Sequence, residues 1–205
     1  MGRCEHSPKV IAMYRAVAEL FAEGADLNSL TVSEITSRAG IGKGTAYEYF
    51  SSKEEILAEA LYYVMKNVAE DLYRNLERKD NLNQKVNEIL IEMEQHMHEV
   101  VCAFKVLYIM MDNSVIGKKL RQLCHEKRDD EMLLFELIEK LIREELGEGI
   151  QLAEEDILYL VLNISSRLLA YALYLNTDAE CRLHNCIKMR EKLCEDICRE
   201  VEGYR

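Results

Sequence analysis

Glycine and proline are nearly absent from most of this chain, and that scarcity limits its possible folds more than any other feature. Nine glycines and one proline serve 205 residues, too few for the turns that a hairpin-rich β fold requires. The glycines are unevenly placed: Gly24, Gly40, Gly42 and Gly44 fall in the first fifty residues, and the next is Gly117. The pattern predicts an all-α protein, with short helices and tight turns up to about Phe50 and long helices beyond it. A composition of 49% hydrophobic and 31% charged residues supports a real core. No long uncharged apolar run and no apolar stretch behind the N-terminal charges is present, so a cytoplasmic location without a membrane span is expected.

Helix starts are written locally. Ser7-Pro8 combines an N-cap hydroxyl with a proline at the first helical position, and Val10, Ile11, Tyr14, Val17, Ala18 and Phe21 follow at helical spacing up to Gly24. Thr31-Val32-Ser33-Glu34 reads as a capping box for a second helix that ends at Gly40. A third helix fits between Gly42 and Phe50, and Ser51-Ser52-Lys53-Glu54-Glu55 offers a capping box for a fourth, running from Ser52 to Lys79. Further helices are predicted near 82–112, 115–126, 128–146, 154–175 and 178–202. This gives two domains, residues 1–52 and 53–205.

The formal charge of −11 repels nucleic acid at long range, so any DNA contact needs a locally placed surface. Residues 1–60 are net −3, whereas 36–53 hold Arg38, Lys43 and Lys53 against Glu48 alone. The seven cysteines, at 4, 102, 124, 181, 186, 194 and 198, form no C-x-x-C pair, which argues against a disulfide framework or a zinc finger. On one helix the last four do not share a face, so they read as buried small hydrophobes, and no metal or cofactor is expected.

Two short helices joined by Ala39-Gly40-Ile41-Gly42 have the spacing of a helix-turn-helix, whose second helix enters the major groove. Gly44 permits close approach, Lys43 and Thr45 offer donors, and Tyr47 and Tyr49 can bond phosphates. Lys53 and the first amides of the fourth helix make a second anion-binding point. The stretch from Leu30 through Gly40-Ile41-Gly42-Lys43-Gly44-Thr45-Ala46-Tyr47-Glu48-Tyr49-Phe50 to Leu57 resembles the DNA-binding signature of the TetR family of bacterial transcriptional regulators, and helix 1 extends the resemblance to roughly residues 9–60.

That resemblance implies an N-terminal three-helix helix-turn-helix DNA-binding domain and a C-terminal long-helix domain for ligand binding and dimerisation. It implies that Lys43, Gly44, Thr45, Tyr47 and Glu48 lie toward base edges and that Thr31, Ser33, Tyr47, Tyr49 and Lys53 hold phosphates. The chain departs from the family pattern at Gly42, where a capping serine is common, and at Ala46, where a larger aliphatic side chain is common. Glu48 either accepts from a cytosine amino group or points away from DNA.

In the long-helix part, Ile157–Leu175 is apolar on nearly every face, which requires burial on two sides, although Asn163, Ser165, Ser166 and Arg167 at its centre argue against a membrane span. With Leu183, Cys186, Ile187, Leu193, Cys194, Ile197 and Val201 on the next helix, two helices from each of two chains could build a four-helix homodimer interface. Met97, His98, Phe104, Tyr108, Met111 and Met132, with Met110 and His125 nearby, are the candidate lining of a small-molecule chamber, although core packing explains them equally well. The predicted function is a dimeric repressor released from a palindromic operator in double-stranded DNA by a small apolar effector. No G-x-S-x-G, H-E-x-x-H or P-loop motif favours an enzyme, and the rival reading is a protein-interaction module whose helix-turn-helix does not bind DNA.

Overall fold

The computed structural model describes residues 7–127, 132–147, 149–177 and 186–205, with the side chains of residues 97–101, 103 and 104 outside that description. The described residues form helices α1 (Pro8–Ala22), α2 (Val32–Arg38), α3 (Lys43–Tyr49), α4 (Lys53–Leu76), α5 (Leu82–Gln95), α6 (Met97–Met111), α7 (Val115–Glu126), α8 (Leu134–Leu146), α9 (Glu154–Leu175) and α10 (Cys186–Glu202). No strand occurs among them. The fold is all-α with a helix-turn-helix at its N-terminal end. Contacts divide the chain into two compact units, residues 1–67 with 102–131 and residues 68–101 with 132–205.

In the first unit the apolar stripe of α1 closes on α2 and the start of α4, burying Met13, Val17, Ile35, Ile56 and Leu57 completely. Tyr14 ties the pieces together. Its ring lies 6.1 Å from that of Phe50 and 5.2 Å from that of Tyr63, and its hydroxyl donates to Glu59 Oε2 at 2.7 Å. Such aromatic contacts add to the area the rings bury. The turn between α6 and α7 is equally tight. Ser114 Oγ caps α7 by accepting from the Gly117 amide at 3.1 Å, and the Arg121 guanidinium donates to the carbonyls of Met110 and Asp112, which the end of α6 leaves without helical partners.

The second unit is a separate core in which Leu90 of α5, Leu137 and Ile142 of α8, Leu160 of α9 and Ile197 of α10 are fully or almost fully buried. Cys194 and Cys198 belong to this core, and burial pushes the Cys194 thiol up and the Cys198 thiol up to about 12. They are inert apolar fillers at neutral pH. Cys102, Cys124 and Cys186 are likewise in no disulfide among the described residues, while Cys4 and Cys181 lie outside them.

Three predicted helices differ from those observed. The stretch expected as one helix over 82–112 breaks at His96, whose backbone leaves the helical region at φ −115° and ψ 41°. The helix expected from 128 begins at Leu134, and that expected from 178 is described from Cys186 onward. On α10, Cys194, Ile197 and Val201, expected at an intersubunit face, point into the unit's own core, and Leu193 packs partly against it. Leu183 lies outside the described residues. Ile187 of α10 remains exposed at 52%, and an outward apolar stripe lies on α9, where Leu158, Leu162, Leu169 and Leu173 are 56%, 54%, 40% and 58% exposed. At about 100° per residue these four lie within about 60° of one another. Among the described residues α9 is also the one helix long and apolar enough to cross a membrane by length and composition. Its central Asn163 and Arg167 both bond Glu200 of α10.

A Cβ added at Gly117 would stand 2.3 Å from the Ile109 carbonyl oxygen and 2.7 Å from that of Asp112. Backbone cannot yield as a flexible side chain does, so Gly117→Ala is expected to cost about 1–3 kcal/mol through overpacking. Chemical denaturation of the variant checks this.

Candidate nucleic-acid interface

The interface is built on α2 and α3, and each end is fixed by a different device. Thr31 caps α2 with a complete capping box: its Oγ1 accepts from the Glu34 amide at 3.2 Å, while Glu34 Oε2 accepts from the Thr31 amide at 2.8 Å and from the Thr31 hydroxyl at 2.6 Å. The hydrogen bonds from Thr31 hold the Glu34 carboxyl below its ordinary range. The cap is therefore present at neutral pH and is lost as acid titrates Glu34 below its unfolded-state value. Gly40, at φ +68°, supplies the left-handed residue that ends α2 and turns the chain toward α3. At the start of α4 the Ser52 hydroxyl accepts from the Glu55 amide, whereas the buried Glu55 carboxylate accepts from the amide and hydroxyl of Ser51, one residue earlier than a standard box.

α3 has only seven residues and no side-chain cap, because its N-cap is Gly42. Ala46, fully buried, sets its inner face. Measured around the helix from Ala46 at about 100° per residue, Lys43, Tyr47, Gly44 and Glu48 stand at about 60°, 100°, 160° and 200°. All four are exposed, so they form one outward surface. Thr45 and Tyr49 flank it and are half-buried. Tyr49 faces the start of α1, where its hydroxyl oxygen accepts from Ser7 Oγ at 3.3 Å.

Gly44 has no internal reason to be glycine. Its backbone is not left-handed, and a Cβ built on it would meet nothing within 4 Å. A glycine inside a helix costs roughly 0.5–1 kcal/mol relative to alanine. The space over Gly44 is thus left open at a cost to the chain, and it lies at the centre of the outward surface, where a nucleic acid would approach.

The predicted phosphate contacts are more dispersed. Ser33 is exposed on α2. The Thr31 hydroxyl is engaged in its capping box, and Lys53 Nζ donates to the Asn28 carbonyl at 2.7 Å. Arg38, counted with Lys43 and Lys53 in the positive balance of this segment, is turned toward α1: its two terminal nitrogens each meet a Glu23 oxygen at 2.8 Å and one also lies 3.4 Å from Glu19. These bonds raise the Arg38 pKa further and lower that of Glu23. The clamp fastens α2 to α1 and takes Arg38 out of the count of free cations. A groove of about 390 Å³ in this unit is lined by α1 and the end of α2, including Ile11, Arg15 and Ala39, and by no residue of α3.

Of the residues expected to line a ligand chamber, Tyr108 and Met111 are exposed on the first unit, at 71% and 77%. Met132 packs partly against the core of the second. The side chains of Met97, His98 and Phe104 lie outside those described. Tyr108 and Met111 thus belong to one unit and Met132 to the other. A small cavity of about 20 Å³ does occur inside the second unit, lined wholly by aliphatic residues that include Val86, Ile138, Leu141, Ile164, Leu168 and Ile197.

The first unit thus has the form of a helix-turn-helix DNA-binding domain, with α3 in the position of the reading helix. Comparison with known proteins defines it further. Residues 14–60 match the family model of bacterial regulatory proteins of the tetR family. The HTH-type transcriptional regulator BetI of Agrobacterium fabrum (strain C58) is 25% identical over 112 residues, covering 53% of this chain and 54% of BetI, so the chain matches about half the length of that relative. In fold, the chain is similar to FadR from Bacillus subtilis, solved in complex with stearoyl-CoA, at a TM-score of 0.61, with 16% identity and coverage of 91% of this chain and 96% of FadR. It is similar also to a Clostridium perfringens protein provisionally described as a fatty acid metabolism regulator, at a TM-score of 0.59, with 26% identity and coverage of 91% and 96%. Residues 14–60 are thus similar to the tetR family of bacterial regulatory proteins, and the remainder of the chain shares with the solved structures its helical fold.

Gly44→Ala separates folding from recognition. It is expected to leave stability unchanged or raise it by up to about 1 kcal/mol, while a methyl group on the reading surface weakens binding to a selected duplex at least about tenfold. Thermal denaturation and fluorescence anisotropy on the same preparation check both halves.

Proposed function

We propose that this chain is a sequence-specific DNA-binding repressor that acts as a homodimer on a palindromic operator and is released by a small molecule carrying an apolar chain. The observation that carries the reading is the outward surface of α3, where Lys43, Tyr47 and Glu48 surround the uncovered Gly44. Phosphate-holding roles for Ser33, Tyr47, Tyr49 and Lys53 fit their positions around that surface, with Lys53 exchanging the Asn28 carbonyl for a phosphate.

The leucine stripe of α9 supports the dimer. Leu158, Leu162, Leu169 and Leu173 repeat on one face and are left 40–58% exposed by the described residues, and a second copy related by two-fold symmetry would cover them with the same residues. Two reading helices fixed by such an axis match two half-sites of a palindrome. The effector's chemistry follows from the aliphatic cavity of the second unit and from the likeness in fold to a FadR that binds stearoyl-CoA. At about 20 Å³ the cavity has room for roughly one water molecule and no ligand. An alkyl chain must therefore push α5, α8, α9 and α10 apart to enter, and that displacement would couple occupancy to DNA affinity.

Selection from a random duplex pool, followed by footprinting, tests the reading. A palindrome protected over both half-sites is expected, and Tyr47→Ala should abolish its retardation with the fold intact. Failure to enrich any sequence from folded, dimeric protein at low salt would favour a protein-interaction module. The salt dependence carries a second prediction. With Arg38 clamped, Lys43 and Lys53 remain near each reading helix, so a dimer should show a log K against log salt slope of roughly −4. A slope near −8 would contradict this charge inventory. A long-chain acyl-CoA should raise the Tm of the protein and release the duplex, and a short-chain acyl-CoA should do neither.

A further inference from the structure

We infer that Glu48 is the specificity-determining residue of the reading helix, and that it requires a cytosine at one position of each operator half-site. The inference rests on the DNA-binding reading above and goes beyond it to the chemistry of one base pair. Glu48 stands about 200° around α3 from the fully buried Ala46, so it is the side chain directed most nearly away from the core. One turn earlier on the same line is Gly44, over which nothing stands. A duplex edge can therefore approach the backbone at Gly44 while the Glu48 carboxylate reaches the next base pair along the groove. Glu48 is exposed and makes no hydrogen bond or ion pair among the described contacts. Arg38, the nearest arginine in sequence, is committed to Glu23 and Glu19. The carboxylate is thus available as an acceptor rather than spent inside the fold.

In the major groove a carboxylate can only accept, and the bases offer two amino donors, cytosine N4 and adenine N6. They are not equivalent. Adenine N6 is flanked by its own N7 and by the O4 of the paired thymine, both acceptors that repel a carboxylate. Cytosine N4 has the O6 of guanine on one side and only the C5–H edge on the other, so a carboxylate can approach from that side without facing a second acceptor. At an A·T pair the one amino donor stands between two acceptors, and opposite guanine or thymine the group faces acceptors or a methyl, so it would be stripped of water without an unopposed donor to replace it, within reach of the phosphate charges. Glu48 therefore acts chiefly by rejection: it disfavours every sequence lacking the donor, including bulk DNA.

Parallel random-duplex selections with the wild-type chain and with Glu48→Ala test this, with circular dichroism as the fold control for an exposed side chain. The wild type should enrich a half-site with one position held as cytosine, discriminated about 5- to 150-fold against the other bases. Glu48→Ala should enrich the same half-site with that position degenerate, and its affinity for unselected duplex should rise. Glu48→Gln, which offers both a donor and an acceptor, should shift the preference at that position toward adenine. The same motif at every position from Glu48→Ala would overturn the inference while leaving the DNA-binding reading intact, as would loss of selectivity at a position held as adenine. A wild type that enriches nothing would overturn both.

Discussion

A seven-residue helix with glycine at its N-cap does not hold itself together in water, since helices of that length lose more in ordering than their few hydrogen bonds return. α3 exists because Ala46 and Phe50 are buried beneath it, and the rest of the first unit serves that contact. Tyr14 reaches Phe50 from α1, the capping box on Thr31 and Glu34 starts α2 at a defined residue, and the Arg38 clamp fastens the end of α2 back to α1. Ala46 is fully buried on the inner face of α3, while the outer face leaves Lys43, Tyr47 and Glu48 exposed.

The glycines record the same division of labour. Gly40 is required by its own backbone, and Gly117 by carbonyl groups that leave no room for a methyl. Gly44 is required by neither, which makes it the clearest sign that the reading surface is shaped for something outside the chain. The charge distribution agrees. A chain of net charge −11 that also commits Arg38 internally depends on placement rather than on general attraction for any DNA affinity, and the proposed role of Glu48 is of that kind.

Much of this was legible in the sequence wherever the cause is local. The capping box at Thr31-Glu34, the Pro8 start, the Gly40 turn and the limits of α7 and α9 all follow from residues within one or two turns of each boundary. What was not legible depends on residues far apart in the chain. The clamp on Arg38 comes from Glu19 and Glu23, nineteen and fifteen residues earlier, and no local count of charge reveals it. The break at His96 has neither glycine nor proline to announce it. The apolar residues of α10 could face inward or outward by periodicity alone, and only packing against Leu90, Leu141 and Leu160 decides that Ile197 and Val201 are core, leaving the outward stripe to α9. Tyr108 and Met111 have the composition of a chamber lining but stand at the surface, because a soft or aromatic side chain on a helix does not by itself say which way it faces.

The central question for this protein is whether the outer face of α3 reads sequence. The most direct measurement is the ratio of dissociation constants for a selected duplex and a scrambled duplex of equal length, taken by fluorescence anisotropy at one physiological salt concentration. A ratio of at least about 10³ is predicted, as for other specific regulators, falling toward unity for Tyr47→Ala. A ratio near unity for the wild type, or one that Tyr47→Ala leaves unchanged, would contradict the claim.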